Sequence, residues 1–266
     1  MSDSHIIHPT AIVDPGARLG HNVSIGPYSV VGEGVQLGDN VILKSHVVIE
    51  GRTSIGNDTV IFPFASIGHA PQDLKYGGEP TKLVIGSSNT IREYVTINPG
   101  TVEGGGETVI GDHNLFMIGT HVAHDCRLGS HIVMANNATL AGHVRIGDHV
   151  WFGGLSAVHQ YVRIGDFAII GGMSGVESDV IPFGRVKGER AFLAGLNIIR
   201  MERMGLTKDQ IKSLQKAFQG LFSDDLTLDK RIEAIAVDFK DDPNVMRIIE
   251  FAREKSKFSL CQPKNH

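Results

Sequence analysis

Cysteine, aromatic residues and long apolar runs are all scarce in this chain. Two cysteines in 266 residues, Cys126 and Cys261, exclude a disulfide framework. Aromatics make up 6% of the sequence, with one tryptophan, so aliphatic side chains must fill a narrow interior. No apolar stretch approaches the roughly 20 residues that cross a bilayer. The N-terminal MSDSHIIHPTA has no basic region followed by an apolar run, so no transmembrane segment and a cytoplasmic location are expected. Net charge is −4, and nothing in its balance points to nucleic acid. The charge is uneven, with residues 187–266 carrying net +3 and residues 1–186 net −7. A basic tail on an acidic body suits either an acidic partner or a solvated helical surface.

What the chain has instead is a beat of six. Ile110, Phe116, Val122, Leu128, Met134, Leu140, Ile146, Phe152, Val158, Ile164, Ile170 and Val176 follow it without a break, and Ile7 to Ile67 keep the same spacing. Glycine often comes next, as in Leu37-Gly38 and Ile146-Gly147, and the residue two before is usually small or β-branched, as at Ala65, Cys126 and Ala138. A period of six fits neither an amphipathic helix nor a hairpin sheet; it marks a solenoid of short strands. One aliphatic and one small residue per hexad point inward, and glycine is expected at the corners between flat faces. Cys126 then reads as a core thiol. The pattern is that of a mainly β chain wound as a left-handed parallel β-helix, three hexads or 18 residues to a coil, against the usual right-handed preference of parallel crossovers.

The regular coils are expected over residues 1–186, with loops near 69–82 and 98–109. In the first, Asp73 and Glu79 occupy slots the beat reserves for apolar residues; in the second, the gap from Ile97 to Ile110 shifts the phase by one around Gly104-Gly105-Gly106. Loops on a rigid solenoid commonly carry binding groups. Residues 187–266 read as a C-terminal α-helical domain covering the open end. A first helix is expected near 191–204, a second after the Thr207-x-x-Gln210 capping box, a third capped by Thr227, and a fourth from Asp242-Pro243 with Val245, Ile248, Ile249 and Ala252 facing inward.

Residues 18 apart stack on neighbouring coils, about 4.8 Å apart. His124 therefore shares a column with Gly142 and Gln160, and Asp125 shares one with His143 and Tyr161, both facing outward; His121 and His159 lie nearby. An imidazole beside a carboxylate suits a general base. Gly142, bare of side chain, offers a backbone N–H to a developing oxyanion. No serine or cysteine stands where a covalent nucleophile would be needed, so direct attack by a substrate hydroxyl is the simpler chemistry. Zinc is the rival use of such histidines. A γ-class carbonic anhydrase has a His-x4-His pair, whereas His143 and His149 are six apart and His121 and His124 three apart, so no metal is expected.

The segments HPTAIV (8–13), LKSHVVIEG (43–51), FASIG (64–68), QDLKYGGEPT (72–81), HVAHDC (121–126), ANNATLAGHV (135–144), GGLSAVHQ (153–160) and GGMSGV (171–176) closely resemble the acyl-ACP–UDP-N-acetylglucosamine O-acyltransferases that begin lipid A synthesis. The resemblance covers nearly the whole chain. It implies a homotrimer with active sites between subunits, transferring a (R)-3-hydroxyacyl group from acyl carrier protein to the 3-hydroxyl of UDP-N-acetylglucosamine. No cofactor is implied beyond the phosphopantetheine of that carrier. His124 would be the base, Asp125 its orienting partner and Gly142 the oxyanion donor. Asp73 and Lys75 would reach sugar and acyl group from a neighbouring subunit, and His121, His143, His159 and Gln160 would contact sugar nucleotide or donor. Asn197 and Arg203 would hold substrate or phosphopantetheine, although Asn197 also suits a helix cap. Gly172 would set acyl length, its missing side chain leaving room for longer chains. The chain departs from the family pattern at Asn98-Pro99, Ile199 and Met204, which bears on phosphate and tail contacts. Acylation of a related amino-sugar nucleotide is the nearest alternative.

Overall fold

The computed structural model describes residues 5–264. Strands of mostly two residues wind into a left-handed parallel β-helix of three sheets, with 11, 9 and 8 strands. Each sheet takes every third strand, so register follows from the beat of six. Ile25 pairs with Leu43 and Leu43 with Ile61, and further along Phe116 pairs with Met134 and Met134 with Phe152. These aliphatic positions point inward and are at most 3% exposed.

Most coils advance 18 residues, as from Ile49 to Ile67, but two are longer. Ile67 pairs with Ile97, 30 positions on, and Ile97 pairs with Val122, 25 positions on. The surplus in each is a loop, one between Ile67 and Lys82 and one between Ile97 and Glu107. The loops tie to each other: the Asn98 side-chain amide donates to the His69 carbonyl at 3.1 Å, and Lys75 pairs with Glu103 at 3.2 Å.

Most corners are not made by glycine, although Gly51 and Gly119 take left-handed positions. The left-handed positions belong mostly to Asn, Asp, His and aromatic residues, among them Asp125 (φ 60°), His131 (φ 58°), Asn137 (φ 59°) and His143 (φ 63°). Asn, Asp and His tolerate that region best among residues with a Cβ. The glycine after each aliphatic residue serves close approach instead. A Cβ on Gly129 or Gly147 would collide with the carboxylate of Asp148 or Asp166 one coil on. Those carboxylates cap the winding before them, Asp148 accepting from the Ser130 N–H at 2.7 Å and Asp166 from the Asp148 N–H at 2.9 Å. On the same corner the rings of His113, His131, His149, Phe167 and Phe183 stack in one column.

Past Val176 the chain differs from the sequence expectation at 191–204. Phe192–Leu196 is a strand, antiparallel to Gly184–Lys187, which itself extends one sheet of the prism. Leu193 and Leu196 suit one face of a helix by spacing, but Gly195 adopts φ +112°, outside the helical region. Only the six-residue α1 (Ile198–Arg203) follows. The other three helices lie where expected: α2 (Lys208–Leu221) with its capping box, α3 (Leu228–Asp238) after Thr227, and α4 (Pro243–Arg253) capped by Asp242. Thr227 makes no side-chain cap bond. The last winding is closed largely by extended chain, with Ile164 bridging Val180 and Asp179 bridging Leu260.

Candidate active site

The stacking of HVAHDC over LAGHV and VHQY sets the candidate site on one corner of the prism. His124 Nδ1–H donates to Asp125 Oδ2 at 2.7 Å, which leaves Nε2 as the free nitrogen of the ring. The His124 side chain is 15% exposed and that of Asp125 fully buried. Asp125 was expected to face outward; the second loop folds over it. The Thr101 N–H donates to Oδ1 at 2.8 Å and the Thr101 hydroxyl to Oδ2 at 2.7 Å. The Asp125 N–H in turn donates to Thr108 Oγ1 at 2.8 Å. A Cβ on Gly104 would fall on the Asp125 carboxyl.

Gly142 lies one coil below His124, where a Cβ would come within 2.7 Å of His124 Nε2. Its missing side chain is thus what opens the face of the ring. The Gly142 carbonyl accepts from the Tyr161 N–H, while no acceptor within the described residues takes the Gly142 N–H. His143 lies flat on Tyr161, ring centres 4.3 Å apart, and edge-on to His124 at 5.1 Å. Its Nε2 is 3.8 Å from Asp125 Oδ2. Burial pushes its pKa below the usual imidazole value, opposed in part by Asp125 and reinforced by His124. His121 is bonded through Nδ1 to Thr96 Oγ1 at 2.7 Å, and burial lowers its pKa too, with His124 adding to the effect. His159 and Gln160 are exposed at the rim; His159 meets the edge of Phe258.

Asp73, expected to serve a neighbouring subunit, already lies near enough to His143 of its own chain for its charge to act there. The Lys75 ammonium is exposed, and its bond to Glu103 raises its pKa. Three expected residues are not brought to His124 within one chain. Asn197 caps α1 and donates to the Phe167 carbonyl at 3.0 Å, Arg203 is exposed on the last turn of α1, and Gly172 sits beside Met173 on another corner. Two elements were missed from the sequence. Thr101 was hidden by the 25-residue coil, and the C-terminal segment returns to place Lys257 Nζ 3.6 Å above the Tyr161 ring.

A cleft of about 310 Å³ opens beside the cluster, lined by Gly104, Asp125, His143, Tyr161, Ser256 and Lys257 among others. A larger groove of about 520 Å³ runs under α4, but its arginines are paired, Arg145 and Arg163 with Glu254 and Arg247 with Asp166, and it holds no imidazole. Among the described residues, His124, Asp125 and His143 form a trio whose ligand atoms lie within 4.8 Å of one another. Asp125 Oδ2 in this trio already accepts from the His124 Nδ1–H and from the Thr101 hydroxyl. The arrangement can also serve as a proton acceptor held by a buried carboxylate, facing a bare amide.

The profile of bacterial hexapeptide transferases, six repeats long, matches residues 16–51, and one described as domain 2 of UDP-N-acetylglucosamine O-acyltransferase matches residues 179–261. A protein of Rickettsia canadensis named acyl-acyl-carrier-protein–UDP-N-acetylglucosamine O-acyltransferase is 53% identical over 261 residues, 98% of each chain. The chain belongs to this acyltransferase family. The acyltransferase of the same name from Halorhodospira halophila is 48% identical over 92% of this chain and 95% of its own. The solved UDP-N-acetylglucosamine O-acyltransferase of Moraxella catarrhalis superposes with a TM-score of 0.93 at 44% identity, covering 96% of this chain and 99% of its own. The acyltransferase likeness therefore spans prism, loops and helical tail together.

Proposed function

We propose that the protein transfers a (R)-3-hydroxyacyl group from acyl carrier protein to the 3-hydroxyl of UDP-N-acetylglucosamine, the first step of lipid A synthesis. The observation that carries this reading is the pairing of His124, bonded to a buried Asp125, with the bare Gly142 amide one coil away. Membership of the family supplies the substrates. His124 Nε2 takes the proton of the attacking hydroxyl as its oxygen bonds to the thioester carbonyl. Asp125 fixes the ring and favours the imidazolium so formed. The Gly142 N–H donates to the oxyanion of the tetrahedral intermediate. That intermediate collapses by breaking the C–S bond, and the imidazolium returns its proton to the phosphopantetheine thiolate. No covalent enzyme intermediate and no cofactor of the protein's own is needed.

His121, His143, His159 and Gln160 are the groups we assign to the sugar nucleotide and donor. We assign Gly172, Asn197 and Arg203, which do not reach His124 within one chain, to a site completed between the subunits of a homotrimer. The reaction is assigned to the cytoplasm, and no helix among the described residues is long and apolar enough to cross a membrane.

Mass spectrometry of products from UDP-N-acetylglucosamine and a mixed pool of acyl carriers tests acceptor and acyl length together. An O-acylated UDP-N-acetylglucosamine is expected, and its loss in His124→Ala with an unchanged trimer. Preference for an amino-sugar acceptor would overturn the acceptor assignment.

A further inference from the structure

We infer that Thr101 is a positioning residue for this chemistry, holding the Asp125 carboxylate on His124 and away from His143. The inference rests on the general-base reading above. Asp125 Oδ2 has two imidazoles within reach, His124 Nδ1 at 2.7 Å and His143 Nε2 at 3.8 Å. A carboxylate turning about its terminal bond can serve either one, and only the first arrangement leaves His124 Nε2 as a proton acceptor with a fixed direction. Thr101 removes that freedom by donating twice, through its N–H to Oδ1 and its hydroxyl to Oδ2. Two donors on two different oxygens define the carboxylate plane.

Thr101 is itself well placed to do this, because both ends of its loop are pinned to one strand residue. The Gly100 N–H donates to the Lys82 carbonyl at 3.1 Å, and the Lys82 N–H donates to the Gly106 carbonyl at 2.8 Å. Within the loop the Thr101 carbonyl accepts from the N–H groups of Gly104 and Gly106. Gly104 then packs directly on the carboxyl with no room for a side chain. The second loop thus supplies both the ligation of the carboxylate and the cover that keeps water from it. Bonds to a charged group in a dry setting are worth more than those in water, so their loss is felt at the base.

Thr101→Val keeps the shape and the backbone N–H but removes the hydroxyl donor; Thr101→Ser restores it. Steady-state kinetics on the full-length protein with UDP-N-acetylglucosamine and acyl carrier substrates should show kcat lowered about tenfold or more in Thr101→Val, with KM for the sugar nucleotide little changed and kcat recovered in Thr101→Ser. Proton NMR supplies a readout that general loosening would not reproduce. The downfield Nδ1–H resonance of His124, assigned by its loss in His124→Ala, should shift in Thr101→Val and return in Thr101→Ser. A fully active Thr101→Val beside an inactive His124→Ala would overturn this inference alone. Equal damage in the valine and serine variants with an unmoved resonance would also overturn it, since the loop would then be needed only for its fold. An active His124→Ala would remove the base, and the positioning role with it.

Discussion

Arg163 reaches Asp179 across the last winding, its Nε donating to Asp179 Oδ2 at 2.8 Å, with the two side chains 7% and 0% exposed. The same guanidinium pairs with Glu254 at 2.8 Å, donates to the Phe251 carbonyl at 3.3 Å and lies over the Phe251 ring. One residue therefore joins the end of the prism to α4. Asp179→Ala strips the buried guanidinium of one of its two carboxylates while Glu254 remains, so the loss is expected to be that of charged hydrogen bonds, about 1.5–3 kcal/mol. Urea unfolding measures this, and limited proteolysis should show earlier cleavage of the helical tail.

Gly142→Ala tests the bare amide. The new methyl would stand within 2.7 Å of the His124 ring, on the side a thioester must approach. A fall in kcat of about a hundredfold is expected, on the scale of losing an oxyanion donor. Thermal unfolding should move less than activity, because the new contact is with one partly exposed imidazole rather than with the packed interior.

Three histidines set a pH dependence. Burial holds His121, His143 and His149 below the ordinary imidazole pKa, with Arg200 reinforcing the effect at His149. Well above the ordinary imidazole pKa of about 6.5 these residues are neutral in both folded and unfolded chains and contribute nothing. As pH falls below that value the unfolded chain takes up protons first, so folding is progressively penalised until the folded-state values are passed. Thermal midpoints should therefore fall on acidification from pH 7 toward pH 5. His149→Gln should flatten that slope, since an amide at this position carries no proton.

Gly172→Met tests the length assignment. A Cβ there meets the Gly154 carbonyl at 3.3 Å and Gly172 has no positive φ, so the backbone accepts a side chain with a small adjustment. In competition between long and short 3-hydroxyacyl carriers the variant should turn toward the shorter one. An unchanged product ratio would show that chain length is read elsewhere.

The legible parts of the sequence were those where spacing alone decides geometry. Ile110 to Val176 kept one register because every sixth side chain must return to the interior, and that arithmetic also brought His124 over Gly142 and Asp125 over His143. Asp73 and Glu79 betrayed the first loop because a charge cannot fill an apolar slot. The arithmetic was silent about what folds back onto a coil, so the burial of Asp125 beneath Thr101 and Gly104 was missed. It was also silent about chain far away in sequence, such as Lys257 above Tyr161. The strand at Phe192–Leu196 is not legible because Leu193 and Leu196, three apart, match only the helical period; an extra residue opposite Gly184–Val186, with Gly195 at φ +112°, brings both leucines to one face of the strand.

The capping of each winding by the one after it makes the prism modular. Excising the 18 residues of one plain turn ahead of the first loop returns every later side chain to the face it left, while a deletion one residue shorter rotates them all. The height of the column above the His124 corner is therefore adjustable in whole steps, and its cross-section is not.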